Sequence, residues 1–133
     1  MSEPQRIASL FQELTHAPRK PFLRARGRLD APCGLGVYII RDGKDNVVHV
    51  GRTPSGKYGI AQRLYNHLHG SSSFTNVHLK GVGRMLRDGY AFQCLEVESS
   101  RERTLLEAYA IGCLCPAHLG EGSRMKSNKE VVE

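Results

Sequence analysis

Two short runs of β-branched residues, joined by a turn sequence, constrain the fold more than any other feature of the chain. Val37–Ile40 and Val47–Val50 are both rich in Val and Ile. Between them lies Asp42-Gly43, a dipeptide typical of the tight turn that joins two antiparallel strands. The sequence therefore predicts a β-hairpin in the first half of the chain.

Apolar residues at helical spacing predict amphipathic helices on both sides of this hairpin. One covers Ile7–Leu14, and a second covers Tyr58–His69. A weaker helix is expected at Val77–Arg87, interrupted by Gly81 and Gly83. The hairpin is thus expected to lie against helices rather than in an all-β fold.

The last third of the chain predicts a further strand and a capped helix. Tyr90–Val97 is the third predicted strand. Ser99 and Glu102 have the spacing of a capping box, which begins a helix that ends before Pro116. The stripe that this helix is expected to bury consists of Leu105, Leu106, Tyr109, Ala110 and Cys113.

These elements predict an α/β domain of the α+β type, with a small three-stranded, mainly antiparallel sheet flanked by helices. We expect residues 1–30 to form an N-terminal helix and a basic segment, and residues 31–133 to form the main domain. A chain of 133 residues with 40% apolar residues has the size of one globular domain. It contains no apolar run near the roughly 20 residues of a membrane span and no secretory signal pattern.

The four cysteines have neither zinc-site spacing nor the context of a disulfide framework. The sequence therefore predicts reduced, mostly buried thiols in a cytoplasmic protein.

The charge balance points to a polyanionic partner. The net charge is +6 and the isoelectric point is near 9.4. The segment from Arg19 to Arg28 carries five cations and no acid. A solvated basic linker is the alternative interpretation of that segment.

Three polar residues are predicted at the edges of helices. Arg63 and His67 are four positions apart, so they lie on one face, just outside the apolar stripe of their helix. Glu107 has a similar position on the last helix. The alternatives are a solvated helix shoulder for the first two and an ion pair with Arg103 for Glu107.

The order of these residues resembles the GIY-YIG nuclease superfamily. Gly36-Val37-Tyr38 and His49-Val50-Gly51 stand where that family has Gly-Ile-Tyr and Tyr-Ile-Gly about ten residues apart. The helix Arg, the later Glu and the final Asn of the family match Arg63, Glu107 and Asn128. A His four residues after the Arg, here His67, is similar to the branch that includes some restriction endonucleases.

The resemblance implies metal-dependent cleavage of DNA phosphodiesters. Glu107 would hold Mg²⁺ or Mn²⁺, and Arg63 would stabilise charge on the phosphate in the transition state. Tyr38 would help remove a proton from the attacking water, with its pKa lowered from about 10 by Arg63 or the metal. His67 would accept the proton of Tyr38 or orient the phosphate, and Asn128 would fix local backbone or contact a phosphate.

His49 departs from the family pattern, which has Tyr at this position. An imidazole could replace the phenol in the site and make the activity more sensitive to pH. The alternative is a strand residue without a part in catalysis.

A further set of basic side chains is predicted to contact DNA, with a solvated surface as the alternative for each: Arg24, Arg26, Arg28, Arg52, Lys57, Arg84 and Arg87. The predicted function is an endonuclease of the restriction, mobile-element or repair type, and a homodimer is one expected way to cut both strands. The alternatives are a catalytically impaired, nuclease-like DNA-binding module and a protein-interaction domain.

Overall fold

The computed structural model describes residues 1–22, 28–54 and 58–119. It is a mixed α+β structure with a four-stranded antiparallel sheet in the order β1-β4-β2-β3. The elements are α1 (Glu3–Thr15), β1 (Lys20–Pro21), β2 (Gly36–Arg41), β3 (Val47–Arg52), α2 (Ile60–Leu68), β4 (Ala91–Glu96) and α3 (Ser100–Leu114). No helix of the described ranges is long and apolar enough to cross a membrane.

The sheet has one strand more than the three predicted. Lys20 and Pro21, in the basic segment, pair with Phe92 and Ala91 of β4. This strand is too short for residue alternation to reveal it. Its proline is tolerated because β1 lies at the edge of the sheet, where one side of the backbone needs no partner.

Strand β2 is the centre of the structure, and all six of its residues are buried. Its side chains alternate between the two faces of the sheet. Tyr38 and Ile40 belong to a core that includes residues of α2, whereas Val37 and Ile39 belong to a second core with residues of α1 and α3. The apolar run in the sequence therefore reflects a strand that is covered on both faces.

A β-bulge changes which residues of β3 face the first core. Ile39 pairs with Val50 and Ile40 pairs with His49, but Arg41 pairs with Val47, so Val48 is the extra residue. Directly opposed residues of antiparallel strands share a face. His49 therefore lies on the same face as Ile40, which is also the face of Tyr38.

Helix α1 packs against α3 in the second core and is also joined to it by ion pairs. Its N-terminal Ser2 forms a reciprocal capping box with Gln5. Ion pairs link Glu3 to Arg101 and Arg6 to Glu102. Residues 1–22 thus contribute a helix and an edge strand to the same folded unit as the rest of the described chain.

The predicted helix at Val77–Arg87 is wrong. The structure has a short π-helical turn at Phe74–His78 and a separate 3₁₀ turn at Gly83–Arg87. Between them, Lys80 and Gly81 have φ angles of 53° and 84°. These left-handed conformations end the first turn, so the apolar spacing across the region does not correspond to one helix.

The buried face of α3 also differs from the prediction. Arg103, Leu106 and Ala110 are buried, whereas Tyr109 is 42% exposed and Cys113 is exposed. Helix α3 lies over β2 and β3 and beside α1. The side of α3 that is buried against them is therefore the one that carries Arg103, rather than the most apolar side.

The expectation of mostly buried thiols is wrong as well. Cys33, Cys113 and Cys115 are exposed, and Cys94 is partly buried. All four are free.

Arg103 is the least expected core residue, since its side chain is charged and the residue is only 2% exposed. Its guanidinium donates hydrogen bonds to the backbone carbonyls of Thr53 and Pro54 after β3 and of Val97 and Glu98 after β4. The distances between nitrogen and oxygen range from 2.7 to 3.1 Å. Four carbonyl dipoles thus stabilise a cation in the interior.

We expect Arg103→Met to lower the free energy of unfolding by about 3 kcal/mol, because it leaves buried carbonyls without donors. Denaturation in urea measures the difference. The matched control is Arg101→Met on the same helix, whose ion pair with Glu3 is exposed to solvent and therefore contributes little to stability. Equal midpoints for the two variants would contradict this role of Arg103.

Candidate active site

Tyr38 lies fully buried across the edge strand β3. It pairs with Gly51, and a Cβ atom at that position would collide with the phenol oxygen and ring of Tyr38. Only glycine leaves this space. The glycine of the second sequence motif is therefore needed because the tyrosine of the first motif passes directly over it.

His67 binds the phenol from α2. Its Nε2 lies 2.8 Å from Oη of Tyr38, and its Nδ1 lies 2.7 Å from Oγ of Ser72. The residue is 1% exposed. The alternative of a solvated helix shoulder is therefore wrong for His67, which is buried and has a hydrogen-bond partner at both ring nitrogens.

His49 belongs to the same buried cluster. Its ring stacks on Phe74 at 4.7 Å between centroids and meets the ring of His67 edge-on at 5.1 Å. Among the described residues, Nδ1 of His49 has no hydrogen-bond partner. The imidazole of His49 thus contacts His67 and Phe74, while its buried Nδ1 has no hydrogen-bond partner among the described residues.

The sequence did not reveal His118, which also belongs to this cluster. The centroid of its ring lies 5.4 Å from that of His49. The segment after α3 runs along β3, where the backbone N–H groups of Ala117 and His118 donate to the carbonyls of Val47 and Val48. Neither spacing nor periodicity signals this arrangement, because it depends on how the chain returns after α3.

Arg52, Arg63 and Glu107 form the charged part of the site. Nε of Arg52 donates to Oε1 of Glu107 at 3.0 Å. The alternative ion pair between Glu107 and Arg103 is therefore wrong. Arg63 lowers the pKa of both Tyr38 and Glu107, and its buried Nε has no hydrogen-bond partner among the described residues.

The pKa of Tyr38 is raised to about 12, chiefly by burial. Arg63 acts in the opposite direction, and Glu107 adds to the increase. The expected lowering by Arg63 is therefore present but outweighed by the loss of solvation. Burial also raises the pKa of Glu107 against the opposing effects of Arg52 and Arg63.

His49 and His67 are neutral near pH 7. Burial, Arg63 and His118 lower the pKa of His67 to about 3. Burial is the main cause that holds the pKa of His49 well below 6.5. Electrostatic interaction with His67, His118 and Arg63 acts in the same direction, whereas a hydrogen bond with the backbone of His118 raises this pKa. The expectation that His49 makes activity sensitive to pH near neutrality is therefore not supported by its surroundings.

The donor set suits a cation held by one protein carboxylate. The described residues contain no cluster of three or more His, Cys, Asp or Glu side chains arranged to hold a metal. Glu107 is partly exposed, and the described hydrogen bond to it engages Oε1 only. Mg²⁺ accepts such a site because it retains several waters and binds substrate phosphate.

Of the remaining basic residues predicted to bind DNA, Arg28, Arg84 and Arg87 belong to the described part of the chain. Arg28 is exposed and lines a groove of about 350 Å³ with Tyr58 and residues of α2. Arg84 is exposed on the 3₁₀ turn, and Arg87 is partly exposed there. Arg24, Arg26, Lys57 and Asn128 lie outside the described residues.

The chain is similar to solved structures, one of which is an endonuclease domain. No family model and no curated protein matches the chain. The chain is similar to the crystal structure of the GIY-YIG N-terminal endonuclease domain of UvrC from Thermotoga maritima, which is bound to its catalytic divalent cation, magnesium. The identity is 22% over 88% of this chain and 97% of that domain, with a TM-score of 0.47. At this identity and TM-score the similarity does not by itself assign a function to the chain.

We expect stability to fall as the pH drops from 6.5 toward 3. In this pH range His67 is protonated in the unfolded chain but stays neutral in the folded protein, where its pKa is about 3. The unfolded state therefore binds more protons, and acid favours it. The slope is about 1.4 kcal/mol per pH unit for each such histidine.

Urea denaturation at several pH values measures this slope. The variant His67→Gln should reduce it, whereas His16→Gln at an exposed position should leave it unchanged. An unaltered slope in His67→Gln would show that His67 does not stay neutral in the folded protein.

Proposed function

We propose that the protein is a metal-dependent DNA endonuclease of the GIY-YIG type. The observation that carries this proposal is the position of Arg63, which interacts electrostatically with both Tyr38 and Glu107 and has a buried Nε without a described partner. A guanidinium with a free donor, close enough to a phenol and a carboxylate to favour the ionised form of both, suits the binding of one phosphate.

The two arginines would act on different stages of the reaction. Arg63 would donate to a non-bridging phosphate oxygen, where negative charge increases in the transition state. Arg52 is bound to Glu107 and about one-third exposed, so it would contact the approaching DNA backbone from the end of β3. A phosphate bound by Arg52 would weaken its hold on Glu107.

Glu107 would be the protein ligand of a divalent cation, Mg²⁺ or Mn²⁺. When bound, the cation supplies Lewis-acid polarisation of the phosphate and stabilises the leaving oxygen. Glu107 must be ionised for this role, and Arg52 and Arg63 both favour its ionised form. Tyr38 would hold the attacking water through its oxygen, and His67 would hold Tyr38.

His49 and Asn128 have supporting roles in this proposal. His49 would keep the rings of His67 and Phe74 in place by stacking. Asn128 would fix backbone or phosphate near the site. DNA would extend over Arg28, Arg84 and Arg87, with Arg24, Arg26 and Lys57 as further contacts.

The type of nuclease is also part of the proposal. Restriction, mobile-element and repair enzymes all cut the same phosphodiester bond, so the site chemistry fits each of them. A second subunit that cuts the opposite strand stays a prediction.

We expect purified protein with Mg²⁺ or Mn²⁺ to nick supercoiled plasmid. Glu107→Gln and Tyr38→Phe should each reduce the rate on the order of 100-fold or more, since the first removes the proposed ligand of the cation and the second removes the hydroxyl proposed to hold the attacking water. Gel electrophoresis of the plasmid forms measures the rate.

The matched control is Glu102→Gln, on the same helix and paired with Arg6 away from the site. This variant should cut like the wild type. An inactive wild type, or equal cleavage by Glu107→Gln, would refute the endonuclease proposal.

The second candidate is a nuclease-like DNA-binding module without catalysis. The Arg52–Glu107 ion pair favours it, because this pair already occupies one carboxylate oxygen. The raised pKa of Tyr38 favours it too, because a phenol that stays protonated is a poor base.

For this candidate we expect DNA binding without cleavage. The affinity should fall steeply with salt, and Arg84→Gln should weaken binding and reduce the salt slope by about one. Fluorescence anisotropy with labelled duplexes of unrelated sequence measures both effects. Binding that does not depend on salt would exclude a phosphate-tracking module.

A further inference from the structure

A chain of hydroxyl groups connects the imidazole of His67 back to its own backbone. Nδ1 of His67 lies 2.7 Å from Oγ of Ser72, which lies 3.1 Å from Oγ1 of Thr75. Oγ1 of Thr75 in turn hydrogen-bonds to the backbone carbonyl of His67. On the other side of the ring, Nε2 of His67 contacts Oη of Tyr38.

The carbonyl at the end of this chain sets the direction of every hydrogen bond in it. A carbonyl only accepts, so the single hydroxyl hydrogen of Thr75 is used there. Thr75 therefore accepts from Ser72, which uses the hydrogen of Ser72. Oγ of Ser72 can then only accept from Nδ1 of His67, as it also accepts from the backbone N–H of Thr75 at 3.2 Å.

The opposite tautomer of His67 would break this pattern. Ser72 would have to donate to a bare Nδ1, and the oxygens of Ser72 and Thr75 would then face each other at 3.1 Å without a hydrogen between them. Thr75 is fully buried and His67 is 1% exposed, so water could not easily relieve this contact.

We propose that Ser72 and Thr75 are positioning residues that hold His67 in the Nδ1–H tautomer, so that its Nε2 accepts the hydroxyl hydrogen of Tyr38. The hydrogen of Tyr38 then points toward α2. The lone pairs of the Tyr38 oxygen can then accept hydrogen bonds from donors at the site, among them Arg63. The low pKa of His67 agrees with this assignment, since a neutral imidazole has one acceptor nitrogen.

The consequence for catalysis rests on the proposed function. An attacking water would donate to Tyr38 rather than accept from it, which turns a water lone pair toward the phosphorus. The sequence pattern of residues 71–73 indicates only the end of a helix. The hydroxyls of Ser72 and Thr75 gain this role because the turn after α2 folds back on the last turn of that helix.

The test is the tautomer itself, measured in the free protein by two-bond ¹H–¹⁵N correlation NMR of the imidazole rings. His67→Gln identifies the signals of His67. In the wild type we expect a protonated Nδ1 and an unprotonated Nε2. Thr75→Val, which removes the hydroxyl and nearly keeps the shape, should shift His67 toward a mixture of tautomers.

Two further variants make the comparison specific. Thr75→Ser should restore the wild-type spectrum, because it restores the hydroxyl. Thr104→Val should leave the spectrum unchanged, because Thr104 is an exposed residue of α3 bound only to its own helix backbone among the described contacts. A wild-type His67 protonated at Nε2, or a Thr75→Val spectrum equal to the wild type, would overturn the proposal.

Plasmid cleavage is the second readout. Thr75→Val should lower the cleavage rate by roughly tenfold at unchanged DNA affinity, as for other residues that orient a site group indirectly. A switched tautomer with an unchanged rate would overturn the positioning role. A wild type that does not cut would refute the proposed endonuclease, while the NMR result would still decide the tautomer.

Discussion

The hydrogen bonds of buried Arg103 are the interaction on which the arrangement of the site depends. This guanidinium joins the backbone after β3 and the backbone after β4 to helix α3. Glu107 lies one helical turn further along α3, where it meets Arg52 at the end of β3. A side chain that touches none of the proposed reacting groups therefore sets the position of the one carboxylate among them. An uncharged residue could not bind four carbonyls in this way.

Burial divides the site into a neutral part and a charged part. Tyr38, His49 and His67 lie in the core, where the loss of solvation keeps the phenol protonated and the imidazoles uncharged. Arg63 and Glu107 lie closer to the surface. The neutral residues are thus suited to direct hydrogen bonds, while the charge of the arginine is available to a phosphate and that of the carboxylate to a cation. This division makes the hydroxyl chain behind His67 relevant, because a neutral ring acts through its tautomer rather than through its charge.

Local pattern predicted most of the fold. The hairpin, α2, β4 and the start of α3 follow from turn residues, periodicity and a capping serine, which all act over a few neighbouring residues. The prediction failed where distant contacts decide the outcome. The edge strand at Lys20–Pro21 exists because β4 offers an open side, and Val77–Arg87 is divided by two left-handed residues. Which side of α3 is exposed depends on the burial of Arg103. The periodicity of apolar residues does not show this, because arginine is not an apolar residue.

For the site, the sequence by itself determined which chemical groups are available and on which elements they lie: a phenol and an imidazole on a hairpin, an arginine and a histidine on one helix, and a glutamate on another. Only the tertiary structure decided their partners and their ionisation. It paired Glu107 with Arg52 instead of Arg103, buried His67 and brought His118 to His49. The physical reason is that hydrogen-bond partners and solvation depend on distances between elements far apart in the chain, which residue spacing along one element does not contain.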